Sequence, residues 1–439
     1  MRPRPPIPTG PYLIVGLARS GVAAARVLHA RGERVIGVDA GAPRQARELA
    51  HEGAAEPAGP GIELHLREDG LAQLERAGAV VKSPGVPAQT SVIAAARARG
   101  IPVLGELELA WRLLPNDFIA VTGTNGKTTT VELIGHIHRQ AGLPVAVAGN
   151  VGTALSSLVG TIDARATVVC EVSSFQLEDA PAFAPEVAVL LNITPDHLDR
   201  HGTLEAYRGA KLRIFAHQRA GDVAVLPEAL AEIELPPEVR RMCFDADPRP
   251  DIAHPRLRGE HNHQNAMAAA AVCLARGIDP DAVSEGLRTF AGVPHRLREV
   301  GSRNGALYVN DSKATNVAST LVALRAFPEG GVHLILGGQG KGQDFAPLRA
   351  AVGASCRAVY AIGEDAPRIA AALEGETARE GATVPLHECG DLERAVAAAS
   401  AAARPGETVL LSPACASFDQ FADFEARGAR FAALVEKMV

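Results

Sequence analysis

Short apolar runs that are typical of buried β-strands alternate with alanine-rich stretches of helical character along the chain of 439 residues. Strands separated by helices predict parallel sheets flanked by helices. The pattern starts afresh three times, and a chain of this length exceeds what one hydrophobic core supports. We therefore expect three α/β domains, at residues 1–104, 105–292 and 293–439. The predicted strands include Tyr12–Val15, Arg34–Val38, Phe118–Val121, Thr167–Val172, Val187–Leu191, Val332–Leu336, Ala358–Ile362 and Thr408–Leu411.

Composition excludes several classes of protein. A net charge of −6 with 4% aromatic residues does not favour nucleic acid or an anionic membrane as partner. No uncharged apolar run reaches transmembrane length, and the six cysteines are dispersed as in a reducing compartment. We expect a monomeric cytoplasmic protein. The proline-rich, charged segment Glu228–Pro255 is expected to form a surface excursion of the middle domain.

Lysine is rare, with six residues against 38 arginines among the 44 basic residues. Where a plain positive charge is sufficient, this sequence uses arginine, so each lysine is a candidate for chemistry that needs a compact ammonium or a neutral amine. A genome biased towards arginine codons explains the scarcity but not the placement. Four lysines lie in segments with other chemical signals: Lys127, Lys211, Lys313 and Lys341.

The segment Ile119–Thr129 combines a strand, a glycine-containing loop and the start of a helix. Backbone N–H groups of such a loop can surround phosphate, with Lys127 neutralising the phosphates and Thr128 binding Mg²⁺. Val121 stands where the usual motif has its first glycine, so we expect a different entry to the loop. The predicted nucleotide-binding residues are Gly123, Thr124, Asn125, Gly126, Lys127, Thr128 and Thr129.

Polar side chains at other strand ends are candidates for the same site. Glu171 ends a predicted strand and could bind Mg²⁺ beside Thr128, although a solvated carboxylate is the alternative. His197 lies among acidic residues in a loop that could equally be a turn and helix cap. Asn262 and Asn265 share a helix face, where helix capping is the alternative to ligand binding.

The first domain begins with a strand, the glycine-containing turn Gly16–Gly21 and a helix, and Asp39 ends the next strand. This resembles a dinucleotide-binding fingerprint, but Leu17 and Ala18 replace the middle glycine. An NAD-dependent dehydrogenase is therefore an alternative with weak support.

Thr122–Thr129 resembles the phosphate loop of the Mur ligases and of the related folylpolyglutamate synthases. Further segments resemble the same family in order along nearly the whole chain: Glu171–Leu177, Asn192–His201, Tyr207–Lys211, Gly259–Asn262, Pro294–Arg296, Asn310–Asn316, Gly337–Lys341 and Ser412–Ser417. The C-terminal segments are similar to those of the members that add D-glutamate to UDP-N-acetylmuramoyl-L-alanine. The resemblance implies a Rossmann-like N-terminal domain, a P-loop ATPase domain and a Rossmann-like C-terminal domain.

The resemblance also implies ATP-driven amide formation through an acyl phosphate in peptidoglycan precursor synthesis, with two Mg²⁺ ions. Lys127, Glu171, His197 and Lys211 would be the catalytic residues, and the last three would bind Mg²⁺ together with Thr128. Lys211 would carry a carbamate derived from CO₂. If the resemblance is ignored, the default interpretation is that Lys211 lies on a solvated helix face. Asn262, Asn265, Arg296 and Asp311 would contact the nucleotide.

The resemblance assigns the substrates to the two outer domains. The uridine nucleotide and its sugar would meet residues of the first domain and the strand ends beside it: Arg19, Ser20, Asp39, Ser83, Gly85, Asn150, Ser173 and His197. D-Glutamate would meet residues of the third domain: Lys313, Thr315, Lys341, Ser417, Phe418 and Phe424. Ala40 and Gly41 stand where members often carry a threonine and an arginine. Without the family, Phe418 and Phe424 would be core residues of an amphipathic helix.

Three alternatives compete with an amide ligase of this kind. Folylpolyglutamate synthesis is opposed by Asn310–Asn316 and by the separate first domain. A dehydrogenase is opposed by the missing glycine and by the phosphate loop. An inactive, ATP-regulated binding protein is opposed by the joint presence of Lys127, Glu171, His197 and Lys211.

Overall fold

In the residues that the computed structural model describes, three sheets are flanked by helices, which confirms the predicted three-domain α/β class. The structure describes residues 2–53, 61–150, 152–245, 260–327, 330–340, 342–375 and 383–438. By internal contacts the chain divides into two units, with the boundary between Phe290 and Ala291. The first unit holds the first two sheets and the second unit holds the third.

The first sheet has five parallel strands in the order β3-β2-β1-β4-β5. Chain order reverses direction between β1 and β4, and in such sheets ligands bind beyond the carboxyl ends at this switch point. The strands are β1 Tyr12–Val15, β2 Val35–Asp39, β3 Glu63–Leu66, β4 Ala79–Lys82 and β5 Val103–Gly105, and the helices are α1 Arg19–Ala30, α2 Arg44–Gly53, α3 Leu71–Leu74, α4 Ser91–Ala98 and α5 Glu106–Leu113.

The middle sheet has six parallel strands in the order β11-β10-β9-β6-β8-β7. The strand that leads into the phosphate loop, β6, lies between β8 and β9, so three loops converge at one edge. The strands are β6 Phe118–Thr122, β7 Val145–Gly149, β8 Thr167–Glu171, β9 Val187–Leu190, β10 Val223–Leu226 and β11 Arg240–Cys243, and the helices are α6 Lys127–Gln140, α7 Ser174–Glu178, α8 Leu198–His201, α9 Leu204–Leu212, α10 Glu260–Ala275 and α11 Pro280–Thr289.

The third sheet has the order β12-β13-β17-β14-β15-β16, and among its described strands only the edge strand β12 is antiparallel to its neighbour. The strands are β12 Arg298–Arg303, β13 Ala306–Asn310, β14 Val332–Gly337, β15 Cys356–Ile362, β16 Leu386–Gly390 and β17 Thr408–Leu411, and the helices are α12 Val317–Arg325, α13 Arg349–Ser355, α14 Ala366–Leu373, α15 Leu392–Ala402 and α16 Phe424–Lys437.

Helix α5 joins the first two sheets. Leu109 packs in the core of the first sheet, whereas Leu107 and Trp111 pack in the core of the middle sheet. Its buried Glu106 accepts a hydrogen bond from the Ser156 backbone N–H at 2.6 Å. Burial raises the pKa of Glu106. Because α5 is buried on both faces, the first two domains form one unit.

Most predicted strands agree with the structure to within two residues. One expectation was wrong in part, because Glu228–Pro255 includes β11, which pairs with β10 as the edge of the middle sheet. This strand has two exposed residues and two half-buried residues, so it lacks the apolar run that marks a buried strand. Residues 246–255 lie outside the described ranges.

Candidate active site

The phosphate loop leaves β6 and ends at the first residue of α6, as predicted. Gly123 and Gly126 adopt positive φ angles of 152° and 88°. Lys127 begins α6, and its ammonium group donates to the carbonyl oxygens of Gly123 and Thr124 at 2.9 Å. The lysine therefore lies folded across the loop that would surround a phosphate group.

Two asparagines shape this loop. The Asn192 carboxamide oxygen accepts from the backbone N–H groups of Thr124 at 3.1 Å and Asn125 at 2.9 Å. A Cβ on Gly126 would lie only 2.2 Å from the Asn265 side-chain oxygen, so no larger residue fits there. The role of Asn192 was missed from the sequence, and its signal is a polar residue shortly after the end of the adjacent strand β9.

Asn262 and Asn265 lie on one face of α10, and both are buried. The Asn265 amide donates to the Asn262 side-chain oxygen at 3.3 Å. The capping alternative is therefore wrong for Asn265, whose side chain faces the phosphate loop instead. The predicted role in nucleotide binding stays a prediction.

Thr128 and Glu171 lie side by side, as the sequence predicts. The Thr128 hydroxyl donates to one Glu171 carboxylate oxygen at 2.7 Å, and the Asn150 amide donates to the other at 3.1 Å. Glu171 is buried, so the alternative of a solvated strand-end carboxylate is wrong. A buried carboxylate beside a threonine hydroxyl offers the oxygen donors that Mg²⁺ prefers.

Lys211 is buried with 1% of its surface exposed, which rules out the solvated-face alternative. Its ammonium group donates to the Gly123 carbonyl oxygen at 2.7 Å and lies 4.5 Å from the centroid of the Tyr207 ring. Burial, together with the nearby positive charge of Lys127, lowers the Lys211 pKa to about 7. A large fraction of this side chain is therefore a neutral amine at neutral pH. Lys211 lies near the C-terminal end of α9, Leu204–Leu212, so its expected position on a helix is confirmed.

His197 precedes α8 with a positive φ of 51°, a conformation that is uncommon for a residue with a side chain. Its half-exposed ring contacts the edge of the Phe175 ring at a centroid distance of 5.0 Å. The Arg200 guanidinium carbon lies 3.8 Å from the centroid of the same ring. His197 occupies the N-cap position of α8, which agrees with the alternative prediction of a turn and helix cap. Its side chain, however, makes no capping hydrogen bond.

A cavity of about 320 Å³ lies beyond the switch point of the first sheet and reaches the strand ends of the middle sheet. Asp39 accepts from the backbone N–H groups of Leu17 and Gly41, both at 2.7 Å, and so holds two loops of its wall together. Ser173 does not line the cavity, because its hydroxyl caps α7 in a reciprocal pair with Gln176. The predicted substrate residues that do line it are Arg19, Ser20, Asp39, Ser83, Gly85 and Asn150.

In the second unit, Asp311 is buried at the end of β13. Its carboxylate accepts from the Ser412 hydroxyl at 2.8 Å and from the Leu297 backbone N–H at 3.2 Å. Burial raises the Asp311 pKa to about 7, although these hydrogen bonds and the nearby positive charge of Arg296 oppose the increase. Arg296 is half-buried. The two predicted nucleotide contacts of this unit thus lie close together.

The raised pKa of Asp311 predicts a pH-dependent stability. The folded ligand-free protein binds a proton at Asp311 that the unfolded chain releases near pH 4, so this residue destabilises the fold increasingly as pH rises from about 4 to about 7. Asp311→Asn should therefore increase the free energy of unfolding at pH 8, by on the order of 2 kcal/mol, and much less at pH 5. Urea denaturation at both pH values, with the exposed Asp344→Asn as control, measures this. An equal effect of Asp311→Asn at both pH values would contradict the assignment.

The predicted D-glutamate residues partly converge in the second unit. The Lys313 ammonium lies 6.0 Å from the centroid of the Phe424 ring. The Ser417 hydroxyl is buried and makes no hydrogen bond within the described ranges. Thr315 is half-buried, and its backbone N–H donates to the Lys313 carbonyl oxygen at 2.9 Å. A buried hydroxyl without a partner is costly unless a ligand satisfies it.

Arg427 was not predicted as part of this site. It is buried in α16 and donates to the carbonyl oxygens of Ser312 at 2.9 Å and Cys415 at 3.0 Å. Burial lowers its pKa to about 10. Its contacts join the loop that carries Lys313 to the loop that carries Ser417. The signal available from sequence is its position three residues after Phe424.

Two residues of the predicted D-glutamate set need separate comment. Phe418 is 62% exposed and lies before α16, so its interpretation as a helical core residue was wrong. Phe424 is the first residue of α16 and is half-buried. Lys341 lies outside the described residues.

The side chains predicted to bind Mg²⁺ supply few oxygen or nitrogen ligands without a modification of Lys211. In the part of the chain that the structure describes, no three His, Cys, Asp or Glu side chains are grouped so as to hold a metal ion. Thr128 and Glu171 are in contact, and Glu171 and Asp196 act on the charge of Lys211. The pair Thr128–Glu171 fits Mg²⁺, and a carbamate on Lys211 would add a further oxygen donor.

Comparison with known proteins agrees with this geometry. Residues 11–105 match the family of Mur ligase MurD-like N-terminal domains, residues 121–234 the Mur ligase middle domain, and residues 295–415 the Mur ligase glutamate ligase domain. UDP-N-acetylmuramoylalanine--D-glutamate ligase from Anaeromyxobacter dehalogenans is 43% identical, over 95% of this chain and 96% of that protein. The enzyme of the same name from Sphingopyxis alaskensis is 42% identical, over 97% of both chains.

The chain belongs to the Mur ligase family. Among solved structures, a MurF ligase from Thermotoga maritima in complex with ADP superposes with a TM-score of 0.57 at 17% identity, over 93% of this chain and 96% of that one. The UDP-N-acetylmuramate-alanine ligase MurC of the same organism gives 0.56 at 18% identity, over 98% and 100%. At these identities the two structures support the fold of this Mur ligase and not its substrate.

Membership of the Mur ligase family removes one of the alternatives raised by the sequence. A dehydrogenase built on Gly16–Gly21 is excluded as the main activity, because all three domains match ligase families. No described helix of this Mur ligase is both long enough and apolar enough to cross a membrane.

Proposed function

We propose that this Mur ligase adds D-glutamate to UDP-N-acetylmuramoyl-L-alanine, with hydrolysis of ATP to ADP and phosphate. Relatives that carry the name of this activity are 40–43% identical over nearly the whole chain. The observation that carries the proposal is the burial of Lys211 beside the phosphate loop and Glu171, because a neutral lysine amine and a buried carboxylate suit this chemistry.

The reaction joins the alanyl carboxylate of the nucleotide substrate to the amino group of D-glutamate. The carboxylate attacks the γ-phosphorus of ATP, ADP leaves, and the amine then attacks the acyl phosphate and displaces phosphate. We assign the loop amides and Lys127 to the phosphates of ATP, where they stabilise the charge that moves during transfer. Mg²⁺, when bound, neutralises phosphate charge, and Thr128, Glu171, His197 and the modified Lys211 would hold it.

We assign a CO₂-derived carbamate to Lys211. The neutral amine is the form that reacts with CO₂, and the pKa of about 7 makes that form abundant. The carbamate would replace a positive charge beside Lys127 with a negative one. The buried site and its neighbouring lysine thus favour the modified side chain over the ammonium.

We assign the cavity of the first domain to the uridine nucleotide, with Arg19, Ser20, Ser83 and Gly85 at its wall. Ala40 and Gly41 offer no side-chain donor, so recognition there relies on the backbone and on Arg19. In the second unit we assign Arg296 and Asp311 to the nucleotide. The D-glutamate pocket is assigned to the side chains of Lys313, Thr315, Lys341, Ser417, Phe418 and Phe424.

The test is phosphate release with UDP-N-acetylmuramoyl-L-alanine, ATP and Mg²⁺, with D-glutamate, L-glutamate, L-alanine or meso-diaminopimelate as the amino acid. We expect turnover with D-glutamate alone and an amide product that contains one glutamate. A folate substrate with L-glutamate tests the synthase alternative, and no turnover with any substrate would support an inactive binding protein. Either of those two results would contradict the proposal. The domain limits 1–104, 105–292 and 293–439, the monomeric state and the cytoplasmic location stay predictions.

A further inference from the structure

A buried ion pair joins the first two sheets at the edge of the nucleotide cavity. Lys82, the last residue of β4, is 1% exposed, and its ammonium lies 2.8 Å from a carboxylate oxygen of Asp179, which follows α7. The other Asp179 oxygen accepts from the half-exposed Arg97 at 2.9 Å. Burying an ammonium is costly, so a lysine at this position needs partners for each of its N–H groups.

Lys82 has a second partner in the cavity wall. The segment Ser83–Val86 follows β4 and lines the cavity. The Lys82 ammonium donates to the Val86 carbonyl oxygen at 2.8 Å and approaches the Ser83 carbonyl oxygen at 3.5 Å. The buried Lys82 ammonium therefore contacts both Asp179 of the middle domain and Val86, the last residue of the segment that lines the cavity.

Arg200 reaches the same segment from the catalytic side. It lies in α8, three residues after His197, and its guanidinium donates to the carbonyl oxygens of Pro84 at 3.0 Å and Val86 at 3.1 Å. The side chain is braced against the face of the Phe175 ring. The Val86 carbonyl oxygen thus accepts from two cations, Lys82 of the first domain and Arg200 of the middle domain.

We propose that Lys82 and Arg200 are positioning residues that fix the segment Ser83–Val86 relative to the Glu171 and His197 loops, and so set the position of the bound uridine nucleotide. The inference rests on the proposed function, because it takes the cavity to be the nucleotide site. Of the residues Ser83–Val86 only Ser83 has a side-chain donor, and it donates to the Gly16 carbonyl oxygen. The orientation of the peptide groups therefore decides what this segment offers a ligand. Two cations anchored on the middle domain hold that orientation, with Asp179 anchoring Lys82 and the Phe175 ring supporting Arg200.

The test compares two substitutions around the same carboxylate. Lys82→Met keeps the length and apolar stem of the side chain but loses the contact with Val86, whereas Arg97→Gln removes the other cation of Asp179 and leaves Ser83–Val86 untouched. We expect Lys82→Met to raise both the KM for UDP-N-acetylmuramoyl-L-alanine and the Kd for UDP about tenfold, which is about 1.4 kcal/mol, with the KM for ATP unchanged. Arg97→Gln should leave all three values near those of the wild type.

Arg200→Met provides a second variant at a half-buried position, where failure to fold is less of a risk than at Lys82. It keeps the contact with Phe175 and removes the donors to Pro84 and Val86. Because both cations act on one carbonyl oxygen, the effects of the two substitutions on Kd should not add in the double variant. Calorimetric binding of UDP measures this without turnover.

Two results would overturn the inference. One is an unchanged KM and Kd in folded Lys82→Met and Arg200→Met proteins. The other is equal effects of Lys82→Met and Arg97→Gln, which would show an ion pair that only stabilises the fold. Failure of the proposed function is distinguishable, because the wild-type protein would then neither bind UDP nor turn over the nucleotide substrate.

Discussion

Lys211→Arg is expected to lower kcat by on the order of 10²–10³-fold or more, although it keeps the positive charge and most of the length. Arginine cannot form a carbamate, so the variant would place a permanent cation beside Lys127 where the active enzyme would have a negative oxygen donor. A loss of about 3–5 kcal/mol of transition-state stabilisation corresponds to this decrease. The measurement is phosphate release at saturating substrates, with the exposed Lys437→Arg as the matched control.

Chemical rescue of an inactive variant can distinguish a carbamate on Lys211 from any other role of this residue. Lys211→Ala should regain part of its activity when small carboxylic acids such as acetate are added, because they can occupy the vacated carboxylate position. Wild-type activity in CO₂-depleted buffer should fall and recover with bicarbonate. The fall should be larger at pH 6 than at pH 8, because protonation of the amine, with its pKa of about 7, opposes carbamate formation. Near-normal turnover of Lys211→Arg in CO₂-depleted buffer would disprove the assignment.

Glu171→Gln should be nearly as damaging, with a decrease in kcat on the order of 10²–10³-fold. The substitution should fold, because the Gln carbonyl can accept from Asn150 and its amide can donate to the Thr128 hydroxyl. It removes the negative charge, so the proposed Mg²⁺ site loses its one native carboxylate.

Metal binding to Glu171→Gln can be measured independently of its activity. Binding of Mn²⁺ as a spectroscopic substitute, in the presence of a non-hydrolysable ATP analogue, should weaken markedly in Glu171→Gln. Glu132→Gln, on α6 of the same domain, should leave both kcat and Mn²⁺ binding unaltered. Unchanged Mn²⁺ affinity in Glu171→Gln would refute the role of Glu171 as a ligand, whatever the effect on rate.

Local signals in the sequence were sufficient for the strands and for the phosphate loop. The strand Thr408–Leu411 is found as predicted, because a short apolar run buried on both faces leaves little choice of structure. Gly123 and Gly126 adopt the backbone conformations that favour glycine, and Lys127 begins the helix that follows. Strand β11 escaped prediction because an edge strand with exposed residues lacks that apolar signal.

What the side chains do at the strand ends was decided by tertiary structure. The default interpretation of Lys211 from sequence was a solvated helix face, yet it is buried beside Gly123, which lies 88 residues earlier in the chain. Phe418 shows the opposite error, since an apolar side chain expected in a core is exposed. Burial of a side chain depends on two surfaces, that of its own element and that of the element packed against it. Hydrophobic periodicity in the sequence describes only the first.

The sequence by itself determined the class of the fold, the order of the elements and the residues from which a nucleotide site could be built, because strand patterns and glycine loops act over a few residues. Apart from the pair Thr128 and Glu171, tertiary structure decided which side chains meet around these residues. Asn192 supports the phosphate loop, Asp179 pairs with Lys82, and Arg200 reaches Val86, each through contacts between distant segments. The pKa of Lys211 has the same origin, because desolvation and a neighbouring charge exist only after the chain has folded.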